Sequence, residues 1–232
     1  MFYGFDPVYF VFALPALAFV MWAQYRVRST YAKMSQMPTM NRLSGFQVAR
    51  ILLDDAGLEN VQIERIPGDL SDNYDPSEKV LRLSEGVYSG RSIASAGIVA
   101  HECGHALQDK VGYAPLKLRS RIVPVANIGS NLGYLVFIAG FFLAFKPLAL
   151  VGIVMFSTAA IFALITLPVE LDASNRALKL LRVRNVLVGN EIGDAERVLR
   201  AAALTYVAAL AQVLATLLYL VFRFSSMNSR DD

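Results

Sequence analysis

Apolar positions along this chain gather into four long runs, residues 8–24, 128–145, 148–167 and 201–222, and none of the four contains Lys, Arg, Asp or Glu. About 20 residues at 1.5 Å each cross the ~30 Å hydrocarbon layer of a bilayer, so each run predicts a transmembrane helix. The remaining sequence has shorter periods. "SGFQVARILLDDAGL" repeats its apolar residues at helical spacing and closes on Gly57, which suits a helix C-terminus. "VQIERI" and "VLRLS" alternate as strands, and "PGDLSDNYDPSEK" between them is rich in turn formers. A short β-hairpin or small sheet is therefore expected. It precedes a helix predicted to begin at Arg91 or Ser92 and to run through "SIASAGIVAHECGHALQDK".

Composition agrees with a membrane class: 55% of the 232 residues are hydrophobic, and the mean hydropathy is +0.45. The leader "MFYGFDP" has no basic residue and "FVMWAQYRVR" offers no small-residue cleavage site, so the first run reads as an uncleaved anchor. Arg26, Arg28, Lys33 and Arg42 follow it, and Lys110, Lys117, Arg119 and Arg121 precede the second run. Only Lys146 lies between the second and third runs, whereas six basic residues lie in 168–200. This bias places both long polar segments in the cytoplasm and both termini outside. The arginines of the tail "RFSSMNSRDD" point the other way. A net charge of +3, accounted for by residues flanking the spans, gives no case for a nucleic-acid partner. One cysteine rules out an internal disulfide and fits a reducing compartment. The expected organisation is an anchor over 1–25, a catalytic segment over 26–121, a transmembrane hairpin over 122–167, a cytoplasmic helical segment over 168–200, and a last transmembrane helix and tail over 201–232. The two polar segments together make one unit of about 130 residues, an ordinary size for a single domain.

Chemistry enters with "HECGH". Both histidines of the chain, His101 and His105, stand four apart with Glu102 directly after the first. Residues four apart share a helical face, so the two imidazoles can bind one Zn²⁺ at ~2.0–2.1 Å. A water activated by zinc needs a base to take its proton, and Glu102 stands beside the metal to do so. Cys103 points away and reads as a small buried residue. Gly104 has two readings, a place where a neighbouring segment comes close or a small residue merely tolerated in the helix. A catalytic zinc takes three protein ligands and keeps a fourth position open. Asp109 lies eight residues from His101, about 12 Å along the axis, and cannot share its ion. The remaining carboxylates near a helix start are in "LPVELDASNRAL", where Pro168 suits a first helical turn. Glu170 is the expected third ligand and Asp172 the alternative, since residues two apart face different ways.

"LSDNYDPSEKVLRLSEGVYSGRSIASAGIVAHECGHALQ" followed by "PVELDASNRAL" resembles the bacterial YugP-type family of neutral zinc metallopeptidases of the membrane, over most of the chain. More distantly, HExxH followed by a Glu-x-x-Ala segment after a membrane hairpin is similar to HtpX and the CAAX prenyl proteases. In those relatives the first glutamate of the segment is the third zinc ligand, a role that the resemblance assigns here to Glu170. They carry an aspartate where this chain has Ser174, a departure from their pattern, so the contact that aspartate makes behind a ligand does not transfer with the resemblance. YugP-type proteins often have a histidine where this chain has Asn73.

The resulting expectation is a mainly α membrane protein of about four transmembrane helices with a cytoplasmic α+β zincin-like domain. It would be a gluzincin-like endopeptidase of the bacterial inner membrane, acting on protein or peptide substrates beside the lipid bilayer. Lys79, Val80, Leu81, Arg82 and Leu83 form the candidate edge strand for an extended substrate. Tyr74, Asn73 and Arg176 are the candidate donors to a developing oxyanion. An intramembrane site-2-type protease and a catalytically silent zinc scaffold are the competing readings. Arg91 and Asp109 bracket an apolar run too short to span, against the first. Glu102 argues against the second, because structural zinc sites usually close with a fourth protein ligand.

Overall fold

The computed structural model describes residues 6–228. Helix α1 (Pro7–Ser35) is followed by α2 (Gly45–Asp55), strands β1 (Gln62–Ile66), β2 (Asn73–Asp75) and β3 (Val80–Ser84), and the short α3 (Glu85–Tyr88). Helices α4 (Ile93–Lys110), α5 (Ala114–Phe142), α6 (Lys146–Val183) and α7 (Glu191–Asn228) complete the chain. Four helices among the described residues, α1, α5, α6 and α7, are long and apolar enough to cross a membrane. α1, α6 and α7 each contain one of the apolar runs, and α5 holds the second as far as Phe142, the run's last three residues forming the turn into α6. Large side chains on them such as Val11, Phe142, Val154 and Leu218 face outward, an arrangement unfavourable in water and suited to lipid.

Contacts divide the chain into two compact units. One comprises the residues up to Ala23, Leu118–Leu167 and those from Thr205 onward; the other comprises Gln24–Lys117 and Pro168–Leu204. The first unit buries Phe137, Ala149, Phe156, Leu220 and Met227 together. In it, Asp6 accepts hydrogen bonds from the Tyr219 hydroxyl at 2.7 Å and Arg223 Nε at 2.6 Å.

The second unit is built around α4. Helix α2 starts at Ser44, whose hydroxyl accepts from the Gln47 amide while the Gln47 side chain accepts from the Ser44 amide, a capping box that satisfies two end donors. Its buried stripe, Val48, Ala49, Leu52 and Leu53, joins Leu81, Leu83, Val87, Val99, Ala177 and Leu181 in one core. Burying each Leu contributes ~1.5–3 kcal/mol. The chain leaves α2 through Gly57 at φ +62°, as its glycine predicts.

The sheet differs from a simple hairpin. β3 is its middle strand, with β1 parallel on one side and β2 antiparallel on the other. The turn-rich segment between β1 and β3 is long enough to hold β2, so the two strands legible from alternation are neighbours but not hairpin partners. α6 also departs from expectation. Pro168 sits inside one continuous 38-residue helix rather than in a first turn, so Glu170 is carried on a helix that already ran through the third apolar run.

Candidate metal centre

Helix α4 begins where Ser92 accepts a hydrogen bond from the Ser95 amide at 3.1 Å, a side-chain N-cap. Small residues line the helix: Ala94, Ala96, Ala100, Cys103 and Ala106 are all buried. Neighbouring elements can therefore approach its backbone closely. Gly104 marks the closest point, since a Cβ there would stand 2.5 Å from the carbonyl oxygen of Ala173 on α6. That approach brings Glu170, one turn before Ala173, over the two histidines.

His101 Nε2 lies 3.1 Å from Glu170 Oε2, and His105 Nε2 lies 3.5 Å from the same oxygen. One donor atom from each of the three residues falls within 4.8 Å of the others. Donors held ~2.05 Å from a tetrahedral zinc are separated by about 3.3 Å, so the spacing fits the ion. Two imidazole nitrogens and one carboxylate oxygen, without a thiolate, form a donor set of the catalytic kind. Glu170 is only 1% exposed and His105 8%, so the carboxylate would be costly to leave without a cation.

Each histidine is oriented from behind. His105 Nδ1 donates to Gln108 Oε1 at 2.9 Å, and the Gln108 amide donates to the Val169 carbonyl and to Asp172 Oδ2, both at 2.8 Å. Arg176 Nε also donates to Asp172, at 2.6 Å. His101 Nδ1 meets Ser174 Oγ at 3.1 Å. These contacts direct both Nε2 atoms at the metal position. Beside them, Glu102 is buried, and its Oε2 accepts the main-chain N–H of Tyr74 at 2.9 Å. Burial pushes the Glu102 carboxyl above the ordinary range; charge on the neighbouring imidazoles acts in the opposite direction.

Residues 9–225 match the family described as "Putative neutral zinc metallopeptidase". The chain belongs to this family. Zinc is accordingly its metal, and His101, His105 and Glu170 are the residues that could hold it. The chain is similar to a Bacillus subtilis (strain 168) protein named "Putative membrane protease YugP", at 43% identity over 224 residues covering 96% of this chain and 99% of that protein. No solved structure matches the chain.

Within this metallopeptidase fold the other expected residues take varied places. Asp172 is not part of the ligand group; its oxygen serves Gln108 and Arg176 instead. Cys103 is buried and its thiol is pushed upward by burial, consistent with a packing role. Lys79, Val80, Leu81, Arg82 and Leu83 do not form an edge. They belong to or adjoin β3, which pairs with β1 and β2 along its two sides, so no row of free main-chain groups remains there for an extended substrate. Asn73 turns its amide to the Ser71 carbonyl, and the Arg176 guanidinium lies over the Tyr113 ring, 5.7 Å from its centroid. Tyr74 meets the site through its backbone, while its hydroxyl donates to Asp109 at 2.8 Å. Gln108 escaped the sequence reading. Its signal was a polar side chain three residues after His105, on the metal-facing side of a helix otherwise lined with small apolar residues.

Proposed function

We propose that this protein is a membrane-anchored zinc endopeptidase that hydrolyses peptide bonds of membrane-associated or misfolded proteins at the cytoplasmic face of the bacterial inner membrane. The observation that carries this reading is the buried Glu102 carboxylate adjacent in sequence to His101, in a chain whose two histidines and Glu170 bring three zinc donors within 4.8 Å of one another. When bound, zinc supplies a Lewis acid that polarises a carbonyl and lowers the pKa of water. His101, His105 and Glu170 hold it. Gln108 Oε1 accepts from Nδ1 of His105 and so keeps that imidazole in the Nδ1–H tautomer, and the Ser174 hydroxyl can accept from Nδ1 of His101 in the same way. Glu102 accepts the proton of the attacking water and passes it to the departing amine. Three protein ligands leave one position for the substrate.

The decisive experiment compares cleavage of an unfolded protein by the purified wild type and by Glu102→Gln, with zinc content measured on both. The variant should lose ~10²- to 10⁴-fold in rate and retain its zinc. Cleavage at the wild-type rate would refute the mechanism. Orientation is tested separately. With Cys103→Ala as background, Ser77→Cys should resist a membrane-impermeant thiol reagent in intact cells and react after the membrane is opened. Labelling in intact cells would place the domain outside.

A further inference from the structure

Tyr74 lies along α4 with both its ends engaged. Its main-chain N–H donates to Glu102 Oε2 at 2.9 Å, and its hydroxyl donates to Asp109 Oδ2 at 2.8 Å. Glu102 and Asp109 are seven residues apart, two turns and about 10.5 Å along the same helical face. Asp109 also pairs with the ammonium of Lys79, at the close of the β2–β3 turn. Lys79 holds a left-handed backbone at φ +56°, uncommon for a lysine and stabilised where its surroundings constrain it. One carboxylate thus fastens both ends of the turn to α4.

We propose that Asp109, acting through Tyr74, is a positioning device for the base Glu102; the inference rests on the proteolytic reading above. β2 has only three residues and is paired on one side, to β3. Its outer side meets the base through the Tyr74 N–H. Anchoring the phenol at Asp109 sets how far along α4 that N–H stands, and hence the rotation of the Glu102 carboxylate. With Oε2 held by the amide, Oε1 is left to take the proton. Burial, together with the hydrogen bond to Asp109, raises the Tyr74 hydroxyl above its ordinary value, so it remains a donor throughout the neutral range. Asp109 and Tyr74 are positioning residues and need not touch substrate. A purely structural fastening would affect folding and zinc retention. Positioning of the base affects turnover at constant zinc.

The test uses the full-length, zinc-loaded protein. Tyr74→Phe keeps the ring and removes only the hydroxyl. kcat should fall roughly 10- to 100-fold, the scale of a misaligned catalytic group, with KM within about twofold and zinc still near one per chain. Asp109→Leu, which also releases Lys79, should lose at least as much with the same split, and the double variant should be no worse than Asp109→Leu alone, because the phenol–carboxylate link is already gone in it. Asp109→Asn retains an oxygen acceptor for the phenol and should recover most of the rate. Unchanged kcat in Tyr74→Phe would overturn the proposal. So would additive losses in the double variant, or zinc content falling in step with rate. The wild type and Glu102→Gln run alongside separate the two readings. A wild type that does not cleave removes the protease reading, and with it this one. An active wild type with a normal Tyr74→Phe removes only the positioning role.

Discussion

Replacing Gly104 by alanine tests whether the metal centre depends on backbone contact between α4 and α6. The new methyl would stand 2.5 Å from the Ala173 carbonyl oxygen and 3.1 Å from its carbon. Relieving this to about 3.2 Å moves the helices apart by roughly 0.7 Å, since repulsion rises steeply inside van der Waals contact. Zinc sites hold their ligand distances to about ±0.2 Å. Glu170 is one turn from Ala173 and Ser174 is its neighbour, so the displacement reaches both a ligand and a group orienting His101. Loss of zinc affinity on the order of 10- to 100-fold is expected, corresponding to ~1.4–2.7 kcal/mol. The cost to the zinc-free fold is smaller, because overpacking at ~1–3 kcal/mol is offset by the ~1 kcal/mol helix preference of alanine over glycine. Chelator competition measures the affinity, and thermal unfolding of the stripped protein measures the rest. Gly97→Ala on the same helix is the control: its methyl would meet Ala195 Cβ at an ordinary 3.7 Å, and it should be neutral or slightly stabilising. Zinc affinity within twofold of wild type in Gly104→Ala would refute the reasoning.

Glu170→Ala should lose zinc outright. Asp172→Ala should keep it with affinity reduced by about 10-fold, since Asp172 acts only through Gln108; the reverse order in a metal assay would exchange their roles. Stripping zinc should abolish cleavage, and adding it back should restore it. Saturating zinc at about 100 times its dissociation constant should add ~2.7 kcal/mol to unfolding stability, visible as a melting temperature that follows zinc concentration. Asp75 gives a prediction in acid: hydrogen bonds from Ser77, with support from Arg82, lower its carboxyl to about 2. Because the folded value lies below the unfolded ~3.9, its contribution is complete above pH ~4 and is lost as pH falls toward 2. Melting curves of zinc-free protein should therefore show wild type converging on Asp75→Asn across that window, and a constant difference would contradict the assignment.

The four apolar runs, the start of α4 at Ser92, the end of α2 before Gly57 and the HExxH spacing were all legible in the sequence, because each depends on residues within a turn or two of one another. Solvent preference and helical period act locally, and His101 faces the same way as His105 wherever the helix lies. The pairing of β1 with β3, the place of β2 at the sheet edge and the passage of α6 through Pro168 were not legible. Strand order depends on contacts between separated segments, and a proline in a long helix is tolerated only when packing outweighs the lost hydrogen bond. The choice between Glu170 and Asp172 belongs to the same class. Both are carboxylates in one short stretch, and only the approach of Ala173 to Gly104, across about 70 residues of chain, turns one toward the histidines and the other toward Gln108. Asp109 shows the limit most plainly: helical distance excluded it as a ligand, but its hold on Tyr74 and Lys79 exists only because tertiary packing lays the β2–β3 turn along α4.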